Sequence, residues 1–158
     1  MSIYDVLKKL NISYNKIEHE AVFTAHEAQV LKKRIKGIGC KNLFLKSEPN
    51  NYYLYMLEDN KQANLKKLEE FLNIKKIHFA SSNELMQILD LPRGGVTPLG
   101  IINDLDNKVT IILDANLVNK VLLMHPEVNT KTLAINYKDL IKYIEYLDHS
   151  YLIFSWQT

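Results

Sequence analysis

The stretch Arg93-Gly-Gly-Val-Thr-Pro-Leu-Gly100 gathers three of the chain's five glycines and one of its four prolines into eight residues. Two readings fit it. A helix ending at Asp90 would be stopped by such a run in a tight turn. Alternatively, Gly94 and Gly95 bring bare backbone against a ligand, where N–H groups between Gly94 and Pro98 hold a carbonyl oxygen that is gaining negative charge. Pro98, with its fixed φ, would keep such a loop from relaxing away. Two other short motifs carry groups able to do chemistry. Lys41 and Asn42 open an apolar alternating run, setting a compact cation beside an amide, although a lysine there also reads as a strand-edge residue with a snorkelling stem. His125, before Pro126, is either a turn residue or an imidazole that orients an amine or a water.

Other candidates weigh less. His19 and His26 lie seven apart, and with a single cysteine, Cys40, they complete no metal site, so no metal and no other cofactor is expected. Ser81 and Ser82 lack the setting of a nucleophile and read as helix caps. Lys32, Lys33, Arg34 and Lys36 form a basic run that is a solvated helix end or a patch that steers a polyanion. Tyr52, Tyr53 and Tyr55 read as hairpin surface and core, with one ring available to stack a base.

These groups need elements to hold them. The spacing predicts a first helix carrying Ile3, Val6, Leu7 and Leu10, then a strand in 13–19. Thr24 and Glu27 stand at capping-box spacing and open a helix to about Arg34. Strands "CKNLFLKS" and "NYYLYMLE" flank the turn "EPNN". A helix near 64–72, a short strand "KIHFA" and a helix opened by Ser81 and Glu84 lead into the glycine-rich loop. Strands near 108–113 and 131–135, a helix over 137–147 and a last strand "YLIFSW" follow. This order predicts a single α/β domain: a mixed, largely antiparallel sheet surrounded by helices.

Composition sets the outer bounds. At 158 residues the chain has room for one core, and no linker or repeat divides it. Its apolar runs fall far short of the roughly 18 residues a membrane span needs, and charged residues interrupt the first helix where a signal peptide would be apolar. A lone cysteine suits a reducing cytoplasm. A formal net charge of +2 is too small to mark a nucleic-acid binder, so any such contact must be local.

Four ordered blocks now carry a resemblance: "HEAVFTAHEA" at 19–28, "CKNLFL" at 40–45, "GGVTPLG" at 94–100 and "MHPEVNTKTL" at 124–133. Over nearly its whole length the chain resembles the YbaK-like aminoacyl-tRNA deacylases, the family of the editing domain of bacterial prolyl-tRNA synthetase. Within it, the chain looks most like the free-standing ProX (PrdX) branch. The resemblance implies a YbaK-like fold and a trans-editing hydrolase that removes alanine from mischarged tRNA(Pro) and so protects translation fidelity. It implies that Lys41 is the active-site lysine, followed by Asn42 as in the alanine-editing branch, that the loop from Gly94 through Gly95, Val96 and Thr97 to Pro98 holds the ester carbonyl, and that His125 orients the substrate. Gly95 departs from the pattern, since many relatives have a small hydroxyl residue there.

The chemistry is consistent with that implication. An ester is labile, so the enzyme has only to place it, stabilise the oxyanion and admit a water. Lys41 would take the terminal phosphate or the 3′ adenosine, and the neighbouring ribose hydroxyl would help activate the water. Editing is needed because a proline site rejects alanine only by the methylene packing that alanine lacks, worth about 1–3 kcal/mol. Val22, Phe23 and Leu43 are the candidates for setting the size of the second site, and Lys32, Lys33, Arg34, Lys36 and Arg93 for contacting tRNA. The expected partners are the acceptor end of tRNA(Pro) and prolyl-tRNA synthetase, the expected state is a monomer, and no membrane contact is expected. Cysteine or serine esters remain alternatives to alanine, as does a binding module without hydrolysis. One conflict stands: in an ideal strand, Lys41 and Asn42 face opposite sides.

Overall fold

The computed structural model describes residues 1–20, 27, 30, 31 and 33–156. Its strands are β1 (Asn15–Glu18), β2 (Ile38–Ser47), β3 (Asn51–Glu58), β4 (His78–Phe79), β5 (Val109–Asp114), β6 (Val121–Met124), β7 (Lys131–Asn136) and β8 (Tyr151–Phe154). They form one sheet in the order β1-β7-β6-β2-β3-β5-β8, with β4 beside β2. The sheet is mixed, as expected, and antiparallel by the margin of a single pairing. β1–β7, β2–β3, β2–β4 and β6–β7 are antiparallel, whereas β2–β6, β3–β5 and β5–β8 are parallel.

β3 shows why the sheet has two covered faces. Every residue from Tyr52 to Leu57 is buried, as parallel pairing on a central strand demands. Tyr52, Leu54 and Met56 join a large core with residues of the helices Ile3–Lys9, Ser82–Leu89 and Tyr137–Tyr146. The alternate residues, Tyr53, Tyr55 and Leu57, meet Leu68 of the helix Leu65–Leu72 on the other face. None of these three tyrosines is therefore open to stack a base, contrary to the sequence reading.

Local signals behave as their chemistry requires. Ser81 and Glu84 make both bonds of a capping box, and Ser2 with Asp5 makes a second one that the sequence reading did not identify. Asp90 ends the Ser82–Leu89 helix in the left-handed conformation. β6 went unpredicted because four apolar residues have too little periodicity to mark a strand. The predicted Thr24–Glu27 capping box lies outside the described residues, while Glu27, Val30 and Leu31 are helical.

After Asp90 the chain forms two short 3-10 segments, Arg93–Gly95 and Pro98–Asn103. The second is anchored from both sides. The Tyr143 hydroxyl donates to the Leu99 carbonyl at 2.6 Å, and Asn103 Nδ2 donates to the Leu89 carbonyl at 2.9 Å. Leu99 and Ile101 are buried in the large core, so the loop preceding them is carried on a rigid base.

Candidate active site

The site begins as a gap in the sheet. Along one edge, β2 pairs with β6 only at Ile38 and Gly39 and with β4 only at Leu45 and Lys46. Between these, Lys41 to Leu43 have no strand partner on that side among the described residues. β2 and β6 run parallel and part where β6 ends, at Met124. A crevice beyond the carboxyl end of a parallel strand, where neighbours diverge, is the common place for a ligand in α/β sheets. A cleft of about 260 Å³ opens there, lined among others by Lys41, Asn42, Arg93, Gly94, Val96 and His125.

The gap resolves the conflict between Lys41 and Asn42. Lys41 pairs with Leu57 and Asn42 with Met56, so the two lie on opposite faces. With the β2 edge open, residues from both faces border the same cleft. Lys41 makes no ion pair with any described residue. Asn42 Oδ1 is buried and has no hydrogen-bond partner among the described residues. A buried acceptor without a partner costs about 1–3 kcal/mol, which a ligand donor would relieve.

His125 follows β6 directly. Its Nδ1 lies 2.9 Å from the Lys131 carbonyl oxygen. A carbonyl only accepts, so Nδ1 carries the proton, and the neutral ring offers Nε2 as an acceptor with no hydrogen-bond partner among the described residues. Burial pushes the imidazole pKa below its ordinary value; the Lys131 bond opposes this and His19 adds to it. The ring is neutral at pH 7.

The glycine-rich loop divides into parts with different duties. Gly94 and Val96 line the cleft. Gly95 is buried, and its N–H donates to the Pro92 carbonyl at 3.0 Å. Thr97 is fully buried, its hydroxyl accepting from Leu99 N–H, and Pro98 is buried behind it. Of the expected row of backbone donors, the Gly95 N–H is therefore taken up inside the loop. Gly100 is there for packing, since a Cβ would lie 2.6 Å from Leu91 Cδ1. At Gly94 the nearest atom to a Cβ among the described residues would be Asn129 Nδ2 at 3.8 Å, and φ is not left-handed, so nothing among the described residues demands glycine. Open space for a ligand does explain it.

Other predicted residues are placed as follows. Arg93 is exposed at the lip, without an ion pair to any described residue. Leu43 packs towards the smaller core and lines a second, adjoining cavity instead of the cleft. Lys33, Arg34 and Lys36 are exposed in the turn before β2. Val22, Phe23, His26 and Lys32 lie outside the described residues. Two residues that the sequence reading missed join the site. His19 sits with its ring centroid 6.4 Å from that of His125, its Nε2 2.8 Å from the hydroxyl of Thr132, and Thr132 lines the cleft. Their approach comes from β1 pairing with β7, which joins segments more than a hundred residues apart.

Comparison with known proteins matches residues 19–143 to the model of the aminoacyl-tRNA editing domain. The prolyl-tRNA editing protein ProX of Acetoanaerobium sticklandii is 33% identical over 141 residues, covering 88% of this chain and 86% of that one. The prolyl-tRNA synthetase associated domain-containing protein 1 of Danio rerio is 31% identical over 155 residues, covering 96% and 84%. A crystal structure provisionally described as that of a trans-editing enzyme for prolyl tRNA synthetase shares the fold with a TM-score of 0.73 at 18% identity, over 96% of this chain and 92% of that one. The family match spans the cleft from His19 to Thr132 and most of the chain around it, and on that ground the chain belongs to the aminoacyl-tRNA editing domain family.

Proposed function

We propose that this protein is a trans-editing deacylase that hydrolyses the ester of alanine mischarged to tRNA(Pro). The observation that carries the reading is the convergence of Lys41, Asn42, Gly94 and His125 on one cleft in a chain of the editing family. The cleft, at about 260 Å³, falls below the roughly 300 Å³ at which drug-sized pockets begin.

In this reading the α-amine of the alanyl group donates to His125 Nε2 and to Asn42 Oδ1, two acceptors at the cleft without partners among the described residues. The ester carbonyl points at the Gly94 backbone, and the Lys41 ammonium takes the terminal phosphate. Water adds to the carbonyl carbon, the carbonyl oxygen carries the negative charge, and the bond to the ribose oxygen then breaks. The vicinal ribose hydroxyl of the substrate helps orient the water, and the departing ribose oxygen ends with its proton. Alanine leaves as the free acid. Arg93 and the exposed Lys33, Arg34 and Lys36 steer the acceptor end by charge, and prolyl-tRNA synthetase is the partner that would supply the mischarged substrate.

The test is release of alanine from Ala-tRNA(Pro), with Pro-, Cys- and Ser-tRNA(Pro) in parallel, by the wild type and by Lys41→Ala. Loss of alanine alone, slowed by about tenfold or more in the variant, is the expected result. Preferential release of cysteine or serine would reassign the substrate. Survival of every ester would replace the deacylase by an acceptor-end binding module.

A further inference from the structure

A second cavity, of about 340 Å³, adjoins the cleft and shares Asn42, Arg93 and Val96 with it as a common wall. Its far side carries Phe79, Ala80 and Ser82. Phe79 is 58% exposed on the short strand β4, whereas Phe44, on the cavity's inner side, is buried and stacked on Tyr52. Phe79 makes no ring contact with any described residue. A phenyl ring more than half exposed on the rim of a cavity is a ready platform for a flat, aromatic ligand.

We infer that this cavity is the subsite for the nucleobase of the terminal nucleoside, with the base stacked on Phe79. The inference rests on the deacylase reading. If the aminoacyl group fills the cleft, the ribose bearing it stands near the wall formed by Asn42 and Val96, and the base joined to that ribose enters the adjoining cavity. Arg93 belongs to both cavities and has no ion-pair partner among the described residues, which suits it to share with Lys41 the phosphate of the same nucleotide. Ser82 supplies a hydroxyl that makes no bond to any described residue and can meet a base edge. Stacking places no demand on which base is present, so the subsite contributes affinity and position, and leaves tRNA identity to other contacts.

The experiment is a titration of the full chain with adenosine 5′-monophosphate, and with ribose 5-phosphate as a probe lacking the base, followed by amide NMR shifts. The expected result is movement of the Phe79, Ala80 and Ser82 signals with the nucleotide and not with ribose 5-phosphate. Phe79→Ala weakens the nucleotide by about fivefold or more, and Phe79→Trp retains it. Shifts confined to the Lys41 cleft, equal affinity in wild type and Phe79→Ala, or no binding would each overturn the subsite. Nucleotide binding needs no hydrolysis, so the two proposals fail separately. Binding at Phe79 without deacylation would sink only the activity, and deacylation with an unchanged KM in Phe79→Ala would sink only the subsite.

Discussion

His125 donates its Nδ1–H to the Lys131 carbonyl across 2.9 Å, and this one bond decides which ring nitrogen carries the proton and which is left to accept. The carbonyl has no proton to donate, so the neutral tautomer with a bare Nε2 is the one the fold selects.

That tautomer gives a pH prediction. Burial holds the His125 pKa below 6.5, so the accepting form persists through neutrality and is lost only as pH falls through the lowered value. The acid limb of kcat/KM should lie below pH 6.5. His125→Asn should remove that limb and reduce kcat/KM by about tenfold or more; a profile unchanged in the variant would remove His125 from the site.

Gly94 and Gly100 should separate function from stability. Among the described residues Gly94→Ala meets only Asn129 Nδ2 at 3.8 Å, so its urea midpoint should match wild type while alanine release falls. Gly100→Ala forces a Cβ to 2.6 Å from Leu91 Cδ1, which should cost about 1–3 kcal/mol of stability. Full activity in Gly94→Ala would show that the ester does not approach that backbone.

The exposed cations before β2 should act through salt. If Lys33, Arg34 and Lys36 meet phosphates, their joint replacement by Gln should reduce the steepness with which tRNA affinity falls as salt rises, by up to about 0.7–0.9 in the log–log slope for each phosphate no longer neutralised. Filter binding across a salt series measures it, and an unaltered slope would leave the run as plain solvated surface.

Asp104 and His149 make a buried pair remote from the cleft. His149 Nε2 lies 2.9 Å from Asp104 Oδ2, with side chains 1% and 2% exposed. Burial alone would raise the Asp104 pKa, but bonds from His149 and from the N–H groups of Lys108 and Val109 outweigh it and hold the carboxyl below its usual value. A depressed carboxyl pKa adds stability that is present above about pH 4 and is lost as pH falls through the folded value. Asp104→Ala should cost about 3 kcal/mol at pH 7. Urea melts should also show a smaller loss of stability in the variant than in the wild type between about pH 4 and pH 2.

By itself the sequence determined what local chemistry can determine. Ser81 and Glu84 cap a helix wherever that segment lies, because both bonds close within four residues. The alternation in β2 and the run of large apolar residues in β3 need only burial to become strands, and the glycine-rich loop needed only its composition to be noticed. The ordered blocks around Lys41, Gly94 and His125 pointed to the family before any tertiary neighbour was known.

Only the tertiary structure decided which of those residues share a cleft. Lys41 and Asn42 border it together because β2 changes partners from β6 to β4 and leaves an edge open between them, a fact of pairing that no period-two pattern contains. Gly95 and Thr97 turn inward, since their bonds to Pro92 and Leu99 close inside the loop. His19 and Thr132 reach His125 because β1 lies against β7, and Phe79 stands open because β4 is too short to be covered. Long-range pairing sets these positions, and the free energy that fixes it is spread over the whole core, so no local stretch of sequence carries it.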